Sequence, residues 1–308
     1  VHEMKNLSEC KNENRLNIRG NGRCRNRRKA KESLKNDKEK IADYLGERIQ
    51  LYTQFQLISS GDGGFGSGAV GIVAKIIKMG KPNALIRVVL TYPRANSRRF
   101  SLENELDCYN EILQLKKDGI VDSIIIIDNN KMNNEEEFNK RCMGILLKTY
   151  DMTFSQIDEN DLAITNFANG YTIPLELNKH DSLEQAIDKA IINSPFLMPT
   201  SFKCSHLLGI FQKEVYDKEE VLEIIKIKEF DKVEYGYDNI LLMGGCKMPS
   251  HHFSRLEDEL ELMSDEEEEE DEFMVKSIFR SKREEVSSPS SVVNKKQLRE
   301  MLGDDFFL

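Results

Sequence analysis

The sequence has no C-x-x-C pair. Its six cysteines stand alone at positions 10, 24, 108, 142, 204 and 246. That scatter argues against a disulfide or zinc framework and suits free thiols in a reducing cytoplasm. No apolar run approaches the ~20 residues of a membrane span. The first 40 residues are polar and basic, without the apolar centre of a signal peptide. A cytoplasmic protein with no membrane contact is therefore expected. No Gly-Lys-Ser/Thr tripeptide closes the glycine-rich segment, so it is not a Walker A loop, and its spacing fits a dinucleotide fingerprint poorly. His251 and His252 lie beside no acid or cysteine of metal-ligand spacing, so they read as surface and no metal-ligating cluster is expected.

What is present is charge, placed unevenly. Residues 11–40 carry twelve Lys/Arg against four Asp/Glu, whereas residues 249–308 carry eight against seventeen. The balance of that last stretch equals the net charge of the whole chain, −9, so the body between is close to neutral. The basic stretch could meet nucleic acid, a polyanionic phosphate or an acidic face of a neighbouring subunit. A nucleic-acid binder is the weakest of these, because the stretch lacks interleaved aromatics for base stacking. At 308 residues the chain can hold one large core or two ordinary ones.

The chain is organised around Gly61-Asp62-Gly63-Gly64-Phe65-Gly66-Ser67-Gly68, in which five of eight residues are glycine. A strand at about 52–59 precedes it and an apolar helix at about 68–79 follows. Strand, glycine loop and helix bring backbone N–H groups and a helix N-terminus to a phosphate. Glycine is expected there for close approach and for φ > 0. Alternation continues in order. A basic helix spans about 25–45, a buried strand 85–90, and a helix 101–117 capped by Ser101. A strand at 121–127, containing the run Ile124–Ile127, ends in Asp128-Asn129-Asn130-Lys131, and a long helix spans about 134–153. Ligands in open α/β sheets gather beyond the carboxyl ends of strands, where both the glycine loop and Asn129-Asn130 fall. Beyond 170 come strands at 171–177, 202–212, 232–235 and 239–243, with helices at 183–193 and 218–227. After Pro249 the pattern fades, apart from a short helix at 256–263. An unbroken run of eight acids spans Asp265–Glu272 and should stay solvated.

Taken together, these landmarks resemble the tubulin/FtsZ superfamily of polymerising GTPases over about residues 17–248. The glycine loop aligns as Asp62-Gly63-Gly64-Phe65-Gly66-Ser67-Gly68. Gly20-Asn21-Gly22 is similar to the family's earlier phosphate-contacting turn, Asn129 and Asn130 to its base-contacting loop, and 134–153 to its core helix. Asp158 and Asp161 fall on the acid spacing of its catalytic loop, and Ala186 to Pro195 resembles a helix end of its activation domain. The basic segment, the Asp-Asn-Asn-Lys loop and the Asp-Phe-Phe ending look most like the TubZ type, plasmid- and phage-encoded segregation filaments. Asp62 and Phe65 depart from the signature glycine and threonine. The family also opens with a β-α unit bearing a first phosphate loop, which is not found before Gly20. The start at Val1 fits a trimmed or incomplete amino terminus.

The resemblance implies an α/β fold: an N-terminally incomplete GTPase domain with a parallel sheet, a core helix and a smaller activation domain. The implied boundaries are 1–16 disordered, 17–133 nucleotide-binding, 134–170 core helix and catalytic loop, 171–248 activation domain and 249–308 acidic, largely disordered tail. It implies GTP with Mg2+ at Gly20, Asn21, Gly22, Gly63, Gly64, Phe65, Gly66, Ser67, Gly68, Arg99, Asn129 and Asn130. Asp158 and Asp161 would act in trans on the nucleotide of the next subunit in a head-to-tail filament. A DNA-binding adaptor protein would dock on the tail. By residue chemistry alone, Asp158 and Asp161 read equally as a helix cap and first-turn acid, and Asn129-Asn130 as a turn pair. An FtsZ-like division protein and a degenerate, non-hydrolysing tubulin-like binding module are the alternatives.

Overall fold

The computed structural model describes residues 26–95, 97–150, 159–178, 182–211, 232–235 and 239–267, with isolated positions at 11, 14, 16–18, 219 and 223. Gly20, Asn21, Gly22, Asp158, most of the expected 218–227 helix, and the acidic run beyond 267 lie outside the described residues.

Among the described residues two helices come first, α1 Arg27–Asn36 and α2 Lys38–Leu51. Sequence reading expects one basic helix ending near 45. The break falls at Asp37, whose N–H closes α1 by bonding to the carbonyls of Ser33 and Leu34. Next come β1 Gln54–Ser60, α3 Phe65–Gly80, β2 Leu85–Tyr92, α4 Arg99–Lys117 and β3 Ser123–Asp128. Helix α4 starts two residues earlier than expected. Its N-cap is Arg98, and Ser101 is a buried residue inside the helix rather than its cap.

Strands β1, β2 and β3 pair in parallel. Successive side chains of a strand alternate between faces, and the core divides accordingly. Val88, Leu90, Ile124 and Ile126 join one cluster with residues of α1, α3 and α4. Val89, Ile125 and Ile127 join the other, with Phe138, Cys142, Ile145 and Leu146. These last belong to α5 Glu135–Lys148, capped by Asn134. Burial on both faces is why β2 and β3 read as continuous apolar runs.

The second half contains α6 Glu159–Asn166, β4 Gly170–Glu176, α7 Leu183–Asn193, β5 His206–Phe211, β6 Lys232–Tyr235 and β7 Ile240–Cys246. It does not form a separate sheet. The seven strands among the described residues make one sheet in the order β1-β2-β3-β4-β7-β5-β6. The halves join where Ser123 and Ile124 pair with Gly170 and Tyr171. Strand β7 runs antiparallel to both β4 and β5. The chain also keeps its pattern past Pro249. Helix α8 spans Ser250–Glu267 and packs on α4, with Phe253 stacked on Tyr109 at a centroid distance of 3.4 Å. The expected tail therefore begins with a packed helix. Among the described residues no helix is long and apolar enough to cross a membrane.

Candidate functional site

Strand β1 ends at Ser60, paired with Thr91 of β2. Gly61 to Gly64 turn the chain, and α3 begins at Phe65. Gly66, Ser67 and Gly68 are therefore first-turn residues of a helix rather than loop residues. The first intrahelical acceptor is the Gly64 carbonyl, reached by the Gly68 N–H at 3.3 Å. The N–H groups of Phe65, Gly66 and Ser67 precede it and have no helical partner, as at any helix start. They form a cluster of donors at the positive end of α3.

Side chains brace this turn from within. Ser60 Oγ donates to Asp62 Oδ1 and accepts from the Gly63 N–H at 3.2 Å. Ser67 is fully buried and its hydroxyl donates to the Gly63 carbonyl. That hydroxyl holds the loop closed instead of facing outward. Phe65 is 40% exposed at the mouth.

The expected reason for glycine holds in part. Among the described residues positive φ occurs only at Gly119 and Gly245, so no residue of this turn uses it. Close approach is the reason that applies. A Cβ on Gly68 would lie 2.8 Å from the Arg27 carbonyl and 3.0 Å from Ala30 Cβ. A Cβ on Gly61 would lie 2.2 Å from a Glu105 carboxyl oxygen.

Helix α4 supports the loop from below. Asn104 Nδ2 donates to the Asp62 carbonyl at 3.2 Å. Arg27 Nη1 donates to the Asn104 carbonyl at 3.2 Å, and Arg27 Nη2 pairs with Glu111 at 2.5 Å. Glu105 is fully buried, and neither carboxyl oxygen has a partner among the described residues. Burial pushes its pKa well up, Asp62 adds to the shift and Arg27 opposes it. Sequence reading missed Asn104 and Glu105. Both lie in the stretch Glu103–Glu105, whose acids signal only a helix start.

The turns after β2 and β3 are stapled by Asn130. Its Oδ1 accepts from the Ala95 N–H at 2.6 Å and its Nδ2 donates to the Pro93 carbonyl at 3.1 Å. Its own N–H reaches Asp128 Oδ1 at 3.0 Å. Asn129, one residue earlier in a short 3-10 turn, is half-buried, and its side chain has no such engagement among the described residues. These turns and α8 enclose a cavity of about 590 Å³ lined in part by Tyr92, Arg94, Asp128, His252 and Arg255. Burial pushes the Tyr92 phenol up to about 12, and its hydroxyl donates to the His252 carbonyl at 2.8 Å. Burial and the neighbouring His251 lower the His252 pKa. Arg99, first in α4, is half-exposed and bonds Glu103 at 3.0 Å.

Asp161 lies in the first turn of α6, half-buried, and its carbonyl accepts from Thr165 Oγ1 at 3.0 Å. The segment joining α5 to α6 starts far from the glycine loop. Helix α5 begins just past the carboxyl end of β3 and runs back for 14 residues, about 21 Å at 1.5 Å per residue. At its end Thr149 meets Arg87 near the start of β2. Asn129 and Thr149 thus mark opposite ends of α5. Among the described residues no group of three or more His, Cys, Asp or Glu side chains is placed to hold a metal.

Comparison with known proteins agrees with this geometry. The tubulin/FtsZ family GTPase domain matches residues 3–136. The tubulin-like protein TubZ of Clostridium botulinum C phage is 26% identical over 167 residues, covering 53% of this chain. The match spans 46% of that relative, about half its length. Among solved structures, Clostridium botulinum phage c-st TubZ, truncated in its C-terminal tail, superposes with a TM-score of 0.78 at 20% identity, over 86% of this chain and 87% of the other. A GTPγS-form protofilament of Bacillus thuringiensis serovar israelensis TubZ gives 0.72 at 16% identity, over 87% and 84%.

Proposed function

From a chain that matches the tubulin/FtsZ superfamily and is TubZ-like, we propose a GTP-binding, GTP-hydrolysing filament protein that segregates or positions plasmid or phage DNA in the cytoplasm. One observation carries the reading. The helix-start amides of Phe65–Ser67 close β1 at the carboxyl end of the sheet, while the chain that leads on to Asp161 leaves from the other end of α5 at Thr149. A head-to-tail copy brings the two together. The solved relatives include a protofilament and two-stranded and four-stranded TubZ filaments.

In this reading Gly63, Gly64, Phe65, Gly66, Ser67 and Gly68 offer main-chain amides to the phosphates, with Gly20, Asn21 and Gly22 as a second turn. Arg99 adds positive charge, and Asn129 reads guanine through an amide that both donates and accepts. Asn130 shapes the turn under it. Phosphoryl transfer requires a positioned water and neutralised phosphate charge. Asp158 and Asp161 of the next copy orient that water. Mg2+, when bound, neutralises phosphate charge; the phosphates supply most of its ligands, and Asp62 is the loop carboxylate available to it. The acidic tail meets a basic DNA-binding adaptor.

The second reading, a non-hydrolysing module, is favoured by the inward hydroxyl of Ser67 and the carboxylate of Asp62 at the loop. GTP titration and phosphate release on the purified chain separate the two. Binding with turnover that Asp158→Ala abolishes supports the first. Binding without turnover supports the second, and turnover unchanged in Asp158→Ala removes the catalytic assignment.

A further inference from the structure

Arg87 sits third in β2, within the apolar run Leu85–Leu90, and is fully buried. Its Nε donates to Gln56 Oε1 at 3.0 Å and its Nη2 donates to the same oxygen at 2.5 Å. Nη2 also donates to Thr149 Oγ1 at 3.2 Å. Nη1 donates to Asn166 Oδ1. The guanidinium carbon lies 4.6 Å from the centre of the Tyr150 ring. Burial lowers its pKa to about 10, which leaves it charged at neutral pH. Among the described residues every hydrogen-bond partner is neutral. A buried cation held by neutral groups is costly compared with an apolar side chain of similar volume, so core packing alone does not account for it.

Its partners share a place in the chain. Thr149 follows α5 and Asn166 ends α6, so they bracket the stretch 149–166, in which Asp161 sits in the first turn of α6. They are also bonded to each other, Asn166 Nδ2 donating to the Thr149 carbonyl at 2.8 Å. The Asn166 carbonyl accepts from Ser123 Oγ at 2.7 Å at the start of β3, and Thr149 Oγ1 donates to the Leu146 carbonyl at 2.7 Å. One guanidinium therefore ties both ends of that stretch to β1 and β2. The planar fork of arginine reaches acceptors on several elements at once, which the single nitrogen of lysine cannot do.

We propose that Arg87 is a positioning residue that fixes Thr149 and Asn166, the two ends of the stretch 149–166, and through them the Asp161 carboxylate supplied to a neighbouring copy's nucleotide. The catalytic consequence rests on the hydrolytic reading above; the mechanical one does not. The test uses Arg87→Lys and Asn166→Ala, the latter leaving the guanidinium bound to Gln56 and Thr149 should the former fail to fold. Amide hydrogen exchange is measured on each variant at 149–166 and at 61–68, alongside GTP affinity, assembly with GTPγS and turnover per assembled chain. The expected result is exchange at least tenfold faster at 149–166 and unchanged at 61–68. GTP affinity and assembly should stay within twofold, and turnover should fall at least tenfold. Unchanged exchange at 149–166 in a folded variant overturns the proposal, whether or not the protein hydrolyses GTP. Faster exchange there with full turnover overturns its catalytic part. Absence of turnover in the unsubstituted chain counts against the hydrolytic reading alone.

Discussion

The Asn104 side chain donates to the Asp62 carbonyl across 3.2 Å, tying the second turn of α4 to the glycine turn that closes β1. Asn104 is itself held, through its own carbonyl, by Arg27 of α1. Two helices thus set the position of a turn that has few side chains of its own.

Asn104→Ala should loosen that turn without unfolding the protein. A lost hydrogen bond of this kind is worth about 1 kcal/mol, which corresponds to a roughly fivefold loss of GTP affinity. Calorimetric titration checks it. Unchanged affinity would mean that the turn holds its shape without α4.

Gly68→Ala should destabilise the fold although alanine is the better helix former by about 1 kcal/mol. The added methyl meets the backbone of Arg27 at 2.8 Å, and backbone cannot move aside cheaply. Overpacking of this kind costs about 1–3 kcal/mol. Denaturant unfolding measures it, and a stabilised variant would contradict the close contact between α1 and α3.

Glu105 should make stability depend on pH. Burial, aided by Asp62, raises its pKa in the folded state. The folded protein therefore binds more protons than the unfolded chain between the ordinary glutamate pKa, about 4.3, and the raised one. Stability must then fall as pH rises through that window. Glu105→Gln cannot ionise, so its unfolding free energy should lack this decline. Parallel pH profiles for the two proteins would show that Glu105 is not buried as described.

Phe253→Ala should detach α8. The ring stacks on Tyr109 and meets Tyr92 edge-on at 5.5 Å. Truncating a buried Phe costs about 3–5 kcal/mol. Loss of α8 also opens the cavity beside Asp128 and His252, so the expected readout is a lowered melting temperature with faster exchange at 250–267.

Much of the parallel half was legible, because burial on both faces leaves apolar runs that few other structures produce. Helix α7 was legible to its end residues, since Ser194-Pro195 stops it sharply. The rest was hidden for identifiable reasons. Arg87 interrupts an apolar run, and its partners Gln56, Thr149 and Asn166 lie up to 79 residues away, so no local pattern signals the knot. Helix α8 was legible only over 256–263; its fuller extent, Ser250–Glu267, was hidden because the acids between Phe253, Leu256, Leu260 and Met263 resemble the solvated run that follows. Ser67 reads as a ligand hydroxyl because sequence does not tell which way a hydroxyl turns. Asn129 and Asn130 look interchangeable as a pair; only the bonds of Asn130 to the turn after β2 single it out as the staple.

The central claim is that nucleotide and carboxylates meet only between copies. Phosphate release per chain, measured across a dilution series of the full chain with saturating GTP and Mg2+, tests it most directly. The account predicts release near zero in dilute protein and a steep rise once copies assemble. A rate per chain that stays constant through the dilution would contradict it.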